Sequence, residues 1–125
     1  MRLMLILVAL TLASSNGPPT FPRTVHEVPQ AFRGGWDEYD GCAGREPRYS
    51  IDRSRLFNFE VEWLVREVVL HSETDIDLVT ILQDPDGGRT EEAIWSLRLV
   101  EGGRKLTGRT AGAPVYSRCR DTLQR

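Results

Sequence analysis

Apolar and polar residues alternate along most of the second half of this chain, in runs short enough to be strands. Phe57, Phe59, Val61 and Trp63 alternate with Asn58, Glu60 and Glu62, the period-2 signature of a half-buried strand. Near Arg66-Glu67 the apolar parity changes, and Val68, Val69 and Leu70 follow. A β-bulge or a bend in the strand accounts for such a change. Ile76, Leu78, Thr80 and Leu82 form another face opposite Asp77, Val79 and Ile81, and Ala93, Trp95, Leu97 and Leu99 alternate with Ser96 and Arg98. No segment sustains a helical period, although Glu91–Val100 taken alone also fits a short helix.

Turn chemistry punctuates these runs. Asp84-Pro85-Asp86-Gly87-Gly88 joins a proline that presets a turn to glycines that permit positive φ. Glu101-Gly102-Gly103-Arg104 predicts a tight hairpin between Leu97–Val100 and Lys105–Thr107. Asp52-Arg53-Ser54 separates Arg48–Ile51 from the Leu56 run, and Ser72-Glu73-Thr74-Asp75 separates Val68–His71 from Ile76–Leu82. From Phe32–Tyr39 to Val115–Cys119 this gives about eight strands. The expected fold is all-β, a small antiparallel up-and-down barrel, with a β-sandwich as the alternative.

The N-terminus follows a different pattern. Arg2 precedes an apolar run from Leu3 to Leu10 that extends to Ala13, and Ser14, Ser15, Asn16 and Gly17 come next. Basic, apolar and small-polar regions in that order describe a secretory signal peptide. The run falls short of the roughly 20 apolar residues a membrane span requires, so no stable membrane anchor is expected. Pro18, Pro19, Pro22 and Pro29 then favour an extended, poorly ordered arm. The expected division is a leader over residues 1–15, a proline-rich arm over 16–30 and a barrel domain over 31–125. The implied location is secreted or periplasmic.

Export changes how Cys42 and Cys119 are read. In an oxidising compartment two cysteines pair, here closing a loop of about 77 residues worth on the order of 4 kcal/mol by chain entropy. No Cys-x-x-Cys element suggests a redox or metal role. The formal charge of −2 becomes −3 when Arg2 leaves with the leader, and Arg and Glu are interspersed. That balance lacks the basic surplus of a nucleic-acid binder, and the short Arg118, Arg120, Arg125 tail does not supply it.

Arg33-Gly34-Gly35-Trp36 opens the first expected barrel strand. A Gly-x-Trp element there, Gly34 to Trp36, resembles the lipocalin and calycin barrels, in which the tryptophan plugs one end and a late basic residue packs across the indole. The resemblance implies that role for Arg118 or Arg120. In length, leader, Gly-x-Trp and single disulfide the chain resembles small secreted bacterial barrels that inhibit metalloproteinases. In that family the disulfide is local, and here Cys119 lies near the far end. The resemblance implies a free N-terminal arm as the inhibitory part, with Ser14 and Ser15 at its tip.

No catalytic constellation stands out, so a non-enzyme is expected. His26 lies in the arm and His71 ends a strand, neither with a ligand-spaced partner. Glu60 and Glu62, at i and i+2 of one strand face, either accept basic groups of a partner or simply face solvent. Asp75, Asp77, Asp84 and Asp86 lack the spacing of a calcium loop and read as turn formers. Trp63 and Trp95 read as barrel filling. No cofactor is expected. The function classes that remain are a binder of an exported hydrolase such as a protease or lysozyme, a carrier of a small apolar ligand, and a structural envelope component. Oligomeric state stays open.

Overall fold

The computed structural model describes residues 20–38, 42, 46–58, 60–84, 86–88 and 90–120. Its strands are β1 (Arg23–Val25), β2 (Gly34–Asp37), β3 (Tyr49–Ile51), β4 (Arg55–Asn58), β5 (Val61–Leu70), β6 (Asp75–Gln83), β7 (Glu92–Val100), β8 (Lys105–Thr107) and β9 (Val115–Arg118). From β2 to β9 each strand pairs antiparallel with the next, and β9 pairs back with β2. Eight strands therefore close an up-and-down barrel, which removes most of the sheet edges a sandwich would leave.

The parity change in the sequence is a bulge. Val65 pairs with Thr80 and Glu67 with Val79, leaving Arg66 as the extra residue of β5. Ahead of it Trp63 and Val65 face inward; beyond it Val68 and Leu70 do, so the interior stays apolar on both sides. β6 alternates as its sequence pattern predicts, with Ile76, Leu78 and Thr80 buried. Glu91–Val100 is strand from Glu92, not helix.

Two local expectations fail. The alternating run from Phe57 to Trp63 is not one strand: β4 ends at Asn58, which pairs with Val61 of β5 across a tight turn. Cross-strand partners of such a hairpin have opposite sequence parity, so the face of Leu56 and Asn58 on β4 continues on β5 as that of Val61, exposed beside the turn, and Trp63, packed on the core. Phe57 pairs with Glu62 on the other face, and the Asn58 Oδ1 is buried without a hydrogen-bond partner. The proline-rich stretch, in turn, is not all a poorly ordered arm. Arg23, Thr24 and Val25 pair with Leu70, Val69 and Val68, because β5 outruns the short β4 and leaves an edge that β1 covers. No proline falls within those three residues, so their N–H groups remain available for a ladder.

One end of the barrel is plugged from the N-terminal side. Val28, Phe32 and Trp36 have no exposed surface, and a short 3-10 turn over Gln30–Phe32 carries Phe32 into the same buried cluster as the indole. The Trp36 Nε1 donates to the Phe32 carbonyl at 3.0 Å. These residues share one cluster with Ile51, Leu56, Leu99, Leu106 and Tyr116.

Candidate functional site

The plugged end is built for stability. The Arg118 guanidinium lies 4.2 Å from the Trp36 ring centroid, and it is Arg118, rather than Arg120, that covers the indole. Its Nη1 donates to the Arg33 carbonyl at 2.7 Å, and its Nη2 donates to the carbonyls of Ala31 at 2.5 Å and Gly103 at 3.2 Å. Burial lowers the pKa of this arginine from its usual value. Gly34, at φ 120°, accommodates the guanidinium: a Cβ there would sit 3.3 Å from Arg118 Nη1. The next glycine has a separate duty. A Cβ on Gly35 would lie 2.9 Å from the Cys119 Sγ and 3.1 Å from the Pro47 side chain. The Cys42–Cys119 disulfide, with Cα atoms 5.0 Å apart, thus rests on the outside of β2. The paired cysteines are compatible with an oxidising compartment.

The other proposed contact residues are scattered. Glu60 sits exposed in a turn, and Glu62 lies on the outer face of β5 in an ion pair with Arg55 at 3.0 Å. They do not share a strand face, because the hairpin ends between them. Ser14 and Ser15 lie outside the described residues.

A cavity of about 160 Å³ occupies the interior towards the opposite end. Tyr49, Ile51 and Leu56 form one wall, Leu106 and Tyr116 the second, and Trp95 and Leu97 the third. Its mouth opens sideways. β7 has nine residues and β8 only three, so β8 covers β7 from Arg98 to Val100 and leaves the part before Arg98 without a strand on that side. Thr107, Gly108, Ala113 and Pro114, from β8 and the connection to β9, border the opening together with Ser96.

Aromatic rings organise the wall. Tyr116 meets Tyr49 edge to face at 5.0 Å, Tyr49 meets Trp95 at 6.0 Å, and Trp95 meets Trp63 at 5.7 Å. Such contacts are worth about 0.5–1.5 kcal/mol each beyond burial. The Trp95 Nε1 donates to the Thr80 hydroxyl at 3.1 Å, which in turn donates to the Ala93 carbonyl at 2.9 Å, so this buried polar chain is satisfied. Burial, then a hydrogen bond with Tyr49, pushes the Tyr116 pKa up to about 12 from 10.0. The raised folded-state value means that stability held by protonated Tyr116 is complete below pH 10 and is lost as pH rises towards 12. Denaturant titrations across that window should show stability falling in the native protein and a flatter profile in Tyr116→Phe.

Outside the mouth, β6 carries two of the acidic residues whose sequence context predicts turns. Asp75 and Asp77 lie within the strand, whereas Asp84 does serve a turn, accepting from the Asp86 and Gly87 amides. Asp77 Oδ2 bonds His71 Nε2 at 2.8 Å, and Asp77 Oδ1 accepts from Ser96 Oγ at 2.7 Å and from Arg109 Nη2. Asp75 Oδ1 accepts from Arg98 Nε at 3.0 Å and lies 4.0 Å from Arg109 Nε. The carboxylate of Asp77 stands between the serine and the histidine, so His71 is not placed to take the Ser96 proton as a catalytic triad would require. Among the described residues no group of three or more His, Cys, Asp or Glu side chains is placed to hold a metal.

Fold and site together define a closed antiparallel barrel, plugged at one end, with an apolar side pocket near the other. Comparison of the chain with protein-family models, with curated proteins and with solved structures gave no match.

Proposed function

We propose that this protein is an exported binding module that holds one small, neutral, apolar ring in the side pocket of its barrel. The carrying observation is the cavity of about 160 Å³ lined by Tyr49, Trp95, Leu97, Leu106 and Tyr116. Sites for drug-sized ligands start at about 300 Å³, so a lipid or a large cofactor does not suit this space. An apolar cavity of about 150 Å³ is large enough to take up benzene. Export is part of the proposal, supported by the leader pattern in residues 1–15 and by the disulfide. The reading is of a binder rather than an enzyme. The hydrolase-inhibitor alternative rests on the N-terminal arm and the barrel resemblance, and Ser14 and Ser15 contribute no geometry to it.

Titration with toluene, phenol and indole, followed by Trp fluorescence and calorimetry, tests the pocket. At about 0.7 kcal/mol per ligand heavy atom, rings of seven to nine atoms should bind with dissociation constants on the order of 10⁻⁴ M. Leu97→Phe, which fills the cavity from β7, should abolish binding while leaving the fold intact. Failure of all three rings to bind the native protein at millimolar concentration overturns the proposal.

A further inference from the structure

We infer that the connection between β8 and β9, residues 108–114, is a lid over the pocket, latched by Arg109 on the Asp75–Asp77 carboxylates of β6. This rests on the proposed ligand-binding role of the pocket and adds how access to it is controlled. Gly108, Ala113 and Pro114 border the mouth, so a displacement of this segment widens the opening without disturbing the walls on β3, β4 and β7.

The segment has little else to hold it down. None of its side chains is buried; Thr110, Ala111, Gly112 and Pro114 are exposed, and Gly112 adopts φ 81°. Its internal bonds, the Ala113 amide to the Thr110 carbonyl at 3.0 Å and the Thr107 hydroxyl to the Pro114 carbonyl at 2.9 Å, shape it without tying it to β6. Arg109 makes that tie, passing outside β7 to reach Asp77 and approach Asp75. The acceptors are themselves positioned: Ser96 and His71 orient Asp77, and Arg98 orients Asp75. A segment with no buried apolar side chain, pinned by a partly exposed ion pair, lies at the low-cost end of local opening.

The test measures ligand exchange and lid opening in the full chain. With toluene as probe, Arg109→Gln should raise association and dissociation rates by about fivefold while the dissociation constant changes little. High salt should move the native protein towards the same rates and leave the variant nearly unchanged. Arg109→Lys, which keeps the charge without the planar fork, should fall between them. Independently of any ligand, hydrogen exchange at the Ala113 amide should quicken by about the same factor in Arg109→Gln, with the Leu82 amide of β6 unaffected. Unchanged Ala113 exchange in the variant overturns the latch. If no ring binds but Ala113 exchange quickens, the binding role fails and the latch stands. If toluene binds and neither its rates nor Ala113 exchange responds to Arg109→Gln, the pocket stands and the lid is rejected.

Discussion

Arg118→Ala should destabilise the barrel by about 3 kcal/mol in denaturant unfolding. The side chain makes three hydrogen bonds to carbonyls and covers the Trp36 indole. A stacked guanidinium contributes about 0.5–2 kcal/mol, and charged hydrogen bonds about 1.5–3 kcal/mol each before water replaces the exposed ones. The total is held near 3 because the guanidinium is only part-buried and water can solvate the released carbonyls. Arg118→Lys should recover less than half of the loss, since an ammonium cannot reach three carbonyls in one plane while stacking on the indole. A loss below about 0.5 kcal/mol, the usual range of a neutral surface change, would mean the plug holds without it.

The second large effect concerns the disulfide. Replacing Cys42 and Cys119 together by serine should cost about 4.5 kcal/mol, the chain-entropy value for a bridge with a sequence separation of 77. The same change removes the tightest of the contacts around Gly35 and leaves the Pro47 side chain, 3.1 Å from an added Cβ, in place. In the native protein an added Cβ at Gly35 meets the Cys119 Sγ, so Gly35→Ala should be destabilising on its own and better tolerated once that sulfur is gone. A double-mutant cycle with thermal unfolding reads the coupling directly, and strict additivity would show that Gly35 and the disulfide are energetically independent.

Much of this architecture could be read from residue order. Inward positions of β6 and β7 alternate because one face of an antiparallel strand is buried, and the bulge announced itself as a change of parity at Arg66-Glu67. Turn residues marked the hairpins, with glycine pairs at 87–88 and 102–103 and polar residues at 52–54 and 72–75. The break between Asn58 and Val61 stayed hidden because apolar alternation ran through it in phase, with a large apolar residue, Phe57, on the outer face. β1 was masked by its flanking prolines. At the site, Tyr49, Trp95, Leu97, Leu106 and Tyr116 look like ordinary core residues, and a cavity among them depends on how strands of unequal length close on one another. The Arg109–Asp77 contact joins positions far apart in the chain through a connection whose composition signals only a turn. No local spacing could report it.

The Arg118 cover and the disulfide lie at one end of the barrel, and the pocket mouth lies towards the other. If the pocket binds a ring as proposed, anchorage and recognition are separable units of selection. On that reading, substitutions in residues 108–114, where none of the side chains is buried, retune what the pocket admits while the parts that secure folding stay untouched. The arrangement equips the chain as a scaffold: a covalently braced base carrying a rim that is free to diversify.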